Sequence, residues 1–176
     1  ASDAVVNAQS SDDYLKYCDL ESFVDFFVVN DFAQNSDSIS FASIYLHKDK
    51  DGKLKMGPVW DFDIYVGNGS NKPENKCLEW GSPWFNPLIF NKTFKTRLSE
   101  RWDSIKNTTV KTELLDYVDE LEVKLASAAE RNFAIWNTQN DASIFVGTMN
   151  RPLAGSWKGE VDYLRKWLKA RWTYAD

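Results

Sequence analysis

The chain has 176 residues, enough for one domain with a real core and too few for two ordinary ones. Hydrophobic residues make up 43% and charged residues 27%, which places it among globular proteins, and 8 Trp, 7 Tyr and 11 Phe supply large apolar surfaces for a core or for pocket walls. A net charge of -5, with acids spread along the chain, excludes the strongly basic face that general nucleic-acid binding needs, and no apolar run approaches the roughly 20 residues that span a bilayer.

In chain order, "ASDAVVNAQSSDD" reads as the tail of a helix followed by a linker. It carries no signal peptide and no Met start, so a piece of a longer protein is expected. "CDLESFVDFFVVNDFAQN" predicts a helix with Asp19 as N-cap and Glu21 in the first turn. Leu20, Phe23, Val24, Phe27, Val28 and Phe32 recur at helical spacing, and the segment is apolar nearly all round, which predicts a central core helix broken by "NSDS". A hairpin follows: "ISFASIYLH" alternates, "KDKDGK" carries an Asp-Gly turn signal, and "LKMGPVW" returns until Gly57-Pro58 ends the ladder. Residues 64 to 90 are rich in Gly, Pro and Asn and read as irregular. Helices resume with "NKTFKTRLSERWDSIK" (Phe94, Leu98, Trp102 and Ile105 on one face) and "TELLDYVDELEVKLASAAERNFAIW" (Leu114, Val118, Leu121 and Leu125). The chain closes with "SWKGEVDYLRKWLKARWTY", capped by Ser156. The predicted fold class is mostly α with an embedded β-hairpin (α+β), a single domain over residues 1 to 176.

Two acidic clusters stand out, one in the hairpin turn and one just after the hairpin. Asp49 and Asp51, around the turn glycine, resemble a calcium loop only superficially: six residues after Gly52 stands Pro58, where an EF-hand needs a bidentate Glu, so turn chemistry is the expectation. Asp61 and Asp63 stand straight after the apolar "PVW", just past a predicted strand end. A carboxylate there is costly to bury without a partner. Strand alternation would aim both acids the same way, and the spacing alone allows either metal binding or the capping of a turn. Asp37 lies at the junction of the core helix and the hairpin. The order helix, Asp, hairpin, Asp-Phe-Asp is also that of protein kinases, where one Asp orients the substrate hydroxyl and a second binds magnesium on the phosphates.

"DLESFVDFFVVNDFAQNSDSISFASIYLHKDKDGKLKMGPVWDFDIYVGN" resembles the signature region of the CotH kinase family, the spore-coat-protein-H-like atypical protein kinases. "FKTRLSERWDSI", "AAERNFAIW" and "EVDYLRKWLKARW" are similar to that family's C-terminal helices, so the resemblance spans about residues 12 to 175. It implies a fold related to the protein-kinase C-lobe and transfer of the γ-phosphate of ATP to Ser or Thr hydroxyls of a protein substrate, with magnesium as the divalent metal. By motif position, Asp37 is implied as the catalytic Asp that orients the substrate hydroxyl, and Asp61 as the metal ligand. Asp63 is the second acid of the same string, and Asn35 and Ser43 stand nearby as polar supports. The family is commonly extracytoplasmic in bacteria, so the resemblance implies a bacterial, secreted or cell-surface parent.

The chain also departs from kinase patterns. Five residues after Asp37, where ordinary kinases carry a metal-binding Asn, stands Ala42. Asn35-Ser36 replace the His-Arg pair, and no Gly-rich loop or strand Lys with a Glu partner is recognisable. The ATP lobe is therefore expected before residue 1, and these residues alone are expected to be inactive. The alternative is a module that has lost catalysis and binds a glycan or protein partner at a surface or coat, with Trp80, Trp84 and Phe85 as a stacking platform; the habit of Trp to bury its ring favours packing of that loop under the helices instead. His47, at a strand end beside Lys48, is expected to be exposed and idle. Cys18 and Cys77 fit no metal spacing, and the burial habit of cysteine favours two free thiols over a disulfide.

Overall fold

The computed structural model describes residues 2–40, 44–69, 72–74, 82–138 and 151–175. Helices dominate, and the one sheet among these residues is a two-stranded antiparallel hairpin, as the sequence predicts. The chain divides into two compact units, Ala1–Phe62 with Cys77–Asn107, and Asp63–Lys76 with Thr108–Asp176.

The first unit is built around helix α2 (Leu20–Ala33), preceded by α1 (Ser2–Val6) and a 3-10 turn (Asp13–Lys16). The Asp19 carboxylate caps α2 by accepting the Ser22 N–H at 2.9 Å. Phe23, Val24, Phe26 and Phe27 are buried, as an all-round apolar helix requires. Against them pack α4 (Phe85–Phe90) and α5 (Lys92–Lys106). The Phe85 ring lies 6.2, 6.1 and 5.3 Å from the rings of Phe23, Phe26 and Phe27, and Phe94 meets Phe27 edge-on at 6.3 Å.

Helix α4 lies inside the stretch that composition marks as irregular. Pro87 falls in its first turn, where proline is tolerated, and the Ser82 hydroxyl accepts the Phe85 N–H at 3.0 Å. The N-terminal stretch also differs from the predicted linker: Val5 and Ala8 are fully buried in the core. Asn91 fastens it there. Its amide nitrogen donates to Ala8 O and Asp12 Oδ1, both at 2.8 Å. Its Oδ1 caps α5 through the Phe94 N–H and also accepts from the Tyr14 hydroxyl, whose pKa burial pushes up to about 12.

The hairpin is shorter than the alternation predicts. Strand β1 is Leu46–His47 and β2 is Lys55–Met56, in register Leu46 with Met56 and His47 with Lys55. Ile39 and Ser40 belong instead to a short helix α3 (Asp37–Ser40), while Phe41 to Ser43 lie outside the described residues. The hairpin is stitched to the start of α2: Leu54 N–H donates to Tyr17 O at 2.7 Å, Asp19 N–H to Leu54 O at 2.8 Å, and Met56 N–H to the Ser22 hydroxyl at 2.7 Å. The turn reading of the first acidic cluster holds, with the Gly52 N–H on Asp49 O at 3.0 Å and Asp51 left-handed at φ 62°. His47 is exposed. Cys18 is a buried free thiol whose pKa is raised by burial, and Cys77 lies outside the described residues.

The second unit pairs α6 (Val110–Trp136) with α7 (Trp157–Tyr174). Ser156 caps α7 by accepting the Gly159 N–H at 3.1 Å, as predicted. Arg165 joins the helices through Asp119 at 2.6 Å and Glu122 at 2.8 Å, and these carboxylates hold its guanidinium pKa above the ordinary value. The predicted stripe on α6 is only partly covered: Val118 is buried, Leu114 and Leu121 are half-buried, and Leu125 is exposed.

Candidate active site

Helix α2 ends without glycine. Gln34 takes the left-handed conformation at φ 55°, and its N–H donates to Asp31 O at 3.0 Å while the next N–H, of Asn35, reaches Asn30 O at 2.9 Å. This is a Schellman stop built on glutamine, and it turns the Asn35 side chain into a fully buried position. Asn35 Oδ1 accepts the Ser38 N–H at 3.3 Å, and its Nδ2 donates to the Ser38 hydroxyl at 2.9 Å. The remaining amide hydrogen is shared between Trp60 O at 3.4 Å and Asp61 O at 3.3 Å. One buried amide therefore ties the turn that carries Asp37 to the main chain that carries Asp61. Asp37 is half-buried at the start of α3, and Asp61 is exposed.

The approach of Asp61 differs from the strand-end geometry expected of it. Strand β2 stops at Met56, and Asp61 follows an irregular Gly57 to Trp60 segment. Asp61 has φ 65°, so the extended alternation that would align it with Asp63 is interrupted. Aspartate is among the few residues that accept this region at modest cost. Gly57 sets the path: its N–H donates to Tyr45 O at 2.6 Å, and a Cβ there would lie 2.5 Å from that oxygen. Tyr45 and Trp60, both exposed, pair their rings at 5.5 Å across the hairpin.

Two outcomes follow for these supports. Asn35→Ala removes the buried amide that bonds to Ser38, Trp60 and Asp61 and is expected to cost about 1–3 kcal/mol, read as a lower urea midpoint at unchanged m. Gly57→Ala forces the hairpin apart at Tyr45 and is expected to cost about 1–3 kcal/mol, with faster amide exchange at Gly57 itself as the local signature.

Asp63 opens the second unit, and its main-chain oxygen accepts from the Asn68 amide at 2.7 Å. Ser43 and Ala42 lie outside the described residues, as does Trp80. Of the aromatics considered for a stacking platform, Phe85 is in the core and Trp84 is half-buried, stacked on Phe23 at 6.3 Å. The sequence reading missed Ser38, which is fully buried; its position three residues after Asn35 is the signal for a side-chain-to-backbone turn.

Among the described residues no group of three or more His, Cys, Asp or Glu comes together as a metal cage. Magnesium in nucleotide sites is held by one or two carboxylates together with phosphates and water, and an exposed carboxylate such as that of Asp61 is the kind of donor it uses. The chain runs in the order core helix, Asp37 turn, hairpin and Asp61 string. The CotH kinase protein family model matches residues 2–175, and the chain belongs to that family. No curated protein and no solved structure matches the chain.

Proposed function

We propose that this chain supplies the hydroxyl-orienting and metal-binding part of a protein kinase that transfers the γ-phosphate of ATP to Ser or Thr hydroxyls. The observation that carries the reading is the Asn35 amide, which fastens the Asp37 turn to the Asp61 main chain from a fully buried position. A buried amide spent on joining two acid-bearing segments fits a site whose chemistry depends on positioning.

In this reading Asp37 accepts a hydrogen bond from the substrate hydroxyl and aims its oxygen at the phosphorus. Asp61 holds the metal. Magnesium bound with ATP would neutralise charge developing on the phosphate oxygens. The left-handed backbone at Asp61 selects the substitution that tests it. Asn tolerates that conformation, so Asp61→Asn removes the charge while keeping the turn. In the full-length protein, Asp61→Asn is expected to raise the magnesium concentration for half-maximal transfer by about 10-fold or more. Unchanged magnesium dependence would overturn the metal role. The ATP lobe lies outside these 176 residues in this reading, and the isolated chain is expected to incorporate no phosphate. An extracytoplasmic parent is supported by the family resemblance and is tested by fractionation of the native host.

A further inference from the structure

The loop after Asp63 is held in an unfavourable shape. Val66 has φ 51°, a region that a β-branched side chain adopts only under constraint, and Gly67 follows at φ 94°. A Cβ on Gly67 would lie 2.7 Å from the Trp167 ring. Such strain persists where the surroundings over-determine it, and it concentrates at functional sites.

The constraint comes from one group of side chains, all in the second unit. Asn68 closes the loop by donating from Nδ2 to Asp63 O at 2.7 Å. Its Oδ1 accepts two hydrogen bonds from Arg151, at 2.8 Å from Nη2 and 3.3 Å from Nε. Arg151 ion-pairs with Glu160, and its guanidinium lies over the Tyr163 ring at 4.0 Å. The Tyr163 hydroxyl in turn donates to Gly67 O at 2.8 Å. Burial works to raise the Glu160 carboxyl, but Arg151 and the Ala154 N–H outweigh it and hold its pKa below the usual carboxylate value. The Arg151 and Glu160 side chains are only 11% and 21% exposed. A desolvated ion pair of this kind is a poor source of stability, because apolar residues of similar volume do as well; what it provides is one fixed orientation. Here that orientation ends on the main chain of Asp63, whose carboxylate stays exposed.

We propose that Arg151 is a positioning residue that acts through Asn68 to fix the main chain of Asp63, so that the Asp63 carboxylate is held as a ligand for a divalent metal ion. This rests on the kinase reading above. Arg151 donates two converging bonds to one amide oxygen while pairing with Glu160, a geometry that a lysine ammonium does not reproduce.

The test is Mn2+ binding in the presence of ATP, followed by the loss of the free-ion electron paramagnetic resonance signal in the full-length protein. Arg151→Lys and Asn68→Ala are expected to weaken Mn2+ by about 10-fold, the scale of changes to residues that orient metal ligands. Arg165→Lys is the control. It disturbs an ion-pair cluster in the same unit without touching the loop, and should lower the melting temperature while leaving Mn2+ affinity unchanged. Mn2+ affinities of Arg151→Lys and Asn68→Ala equal to that of Arg165→Lys would overturn the positioning role. Weakening in Asn68→Ala together with wild-type affinity in Asp61→Asn would overturn the Asp61 assignment and leave the positioning role standing. A wild-type protein that takes up no Mn2+ with ATP would overturn both.

Discussion

Asp37→Asn in the full-length protein is expected to lower phosphate transfer to a protein substrate by about 10²- to 10⁴-fold, the usual contribution of a positioned acid or base. The substitution keeps the shape of the side chain and removes its charge. The Asp37 turn is held by neighbours rather than by its carboxylate: Asn35 and Ser38 make the bonds that define it. Folding should therefore be nearly unchanged, and a coincident thermal melt beside lost transfer is the expected pair of results. Michaelis constants for ATP should stay close to wild type, since Asp37 is assigned to the acceptor hydroxyl and not to the nucleotide. Full activity in Asp37→Asn would remove it from the reaction. A loss of ATP affinity with the rate constant unchanged would reassign it to nucleotide binding.

Phe85→Ala is expected to destabilise the first unit by about 3–5 kcal/mol, the range for deleting a buried aromatic ring. Phe85 is 2% exposed and touches the rings of Phe23, Phe26 and Phe27 at once, so the cavity would be lined on several sides by rigid groups with little freedom to collapse. Against a typical domain stability of about 5–15 kcal/mol, this is enough to populate the unfolded form near body temperature. Equilibrium denaturation reads the loss directly. A cost below about 1 kcal/mol would show that the ring is not a core element. The comparison with Phe90→Ala is informative, because Phe90 ends the same helix but is 60% exposed and should cost little.

These two residues stood at opposite ends of legibility. Asp37 could be singled out before any coordinates, from its place between a core helix and a hairpin and from the family resemblance around it. For Phe85 the sequence favours burial, which the structure bears out, but its helix was not legible, because the segment is punctuated by Gly and Pro, and a six-residue helix has too few turns for periodicity to register. The hairpin was legible in its turn and in Gly57-Pro58, but its strands were overestimated. Alternation in "ISFASIYLH" is a local pattern, and the residues at its start are taken instead into a helical turn where Asn35 bonds to Ser38.

The sequence by itself determined the elements whose signals are local. The Asp19 and Ser156 caps, the all-round apolar helix between Leu20 and Ala33, the Asp-Gly turn and the mostly helical class all follow from neighbours within a few residues. It also carried the family, through a string specific enough to be matched across residues 2–175. The tertiary structure alone decided how the acids are held. Asn35 reaches Asp61 across 26 positions, and Arg151 reaches Asn68 across 83. No periodicity encodes such pairs, because each side chain is chosen by a partner that comes near only after the chain has folded.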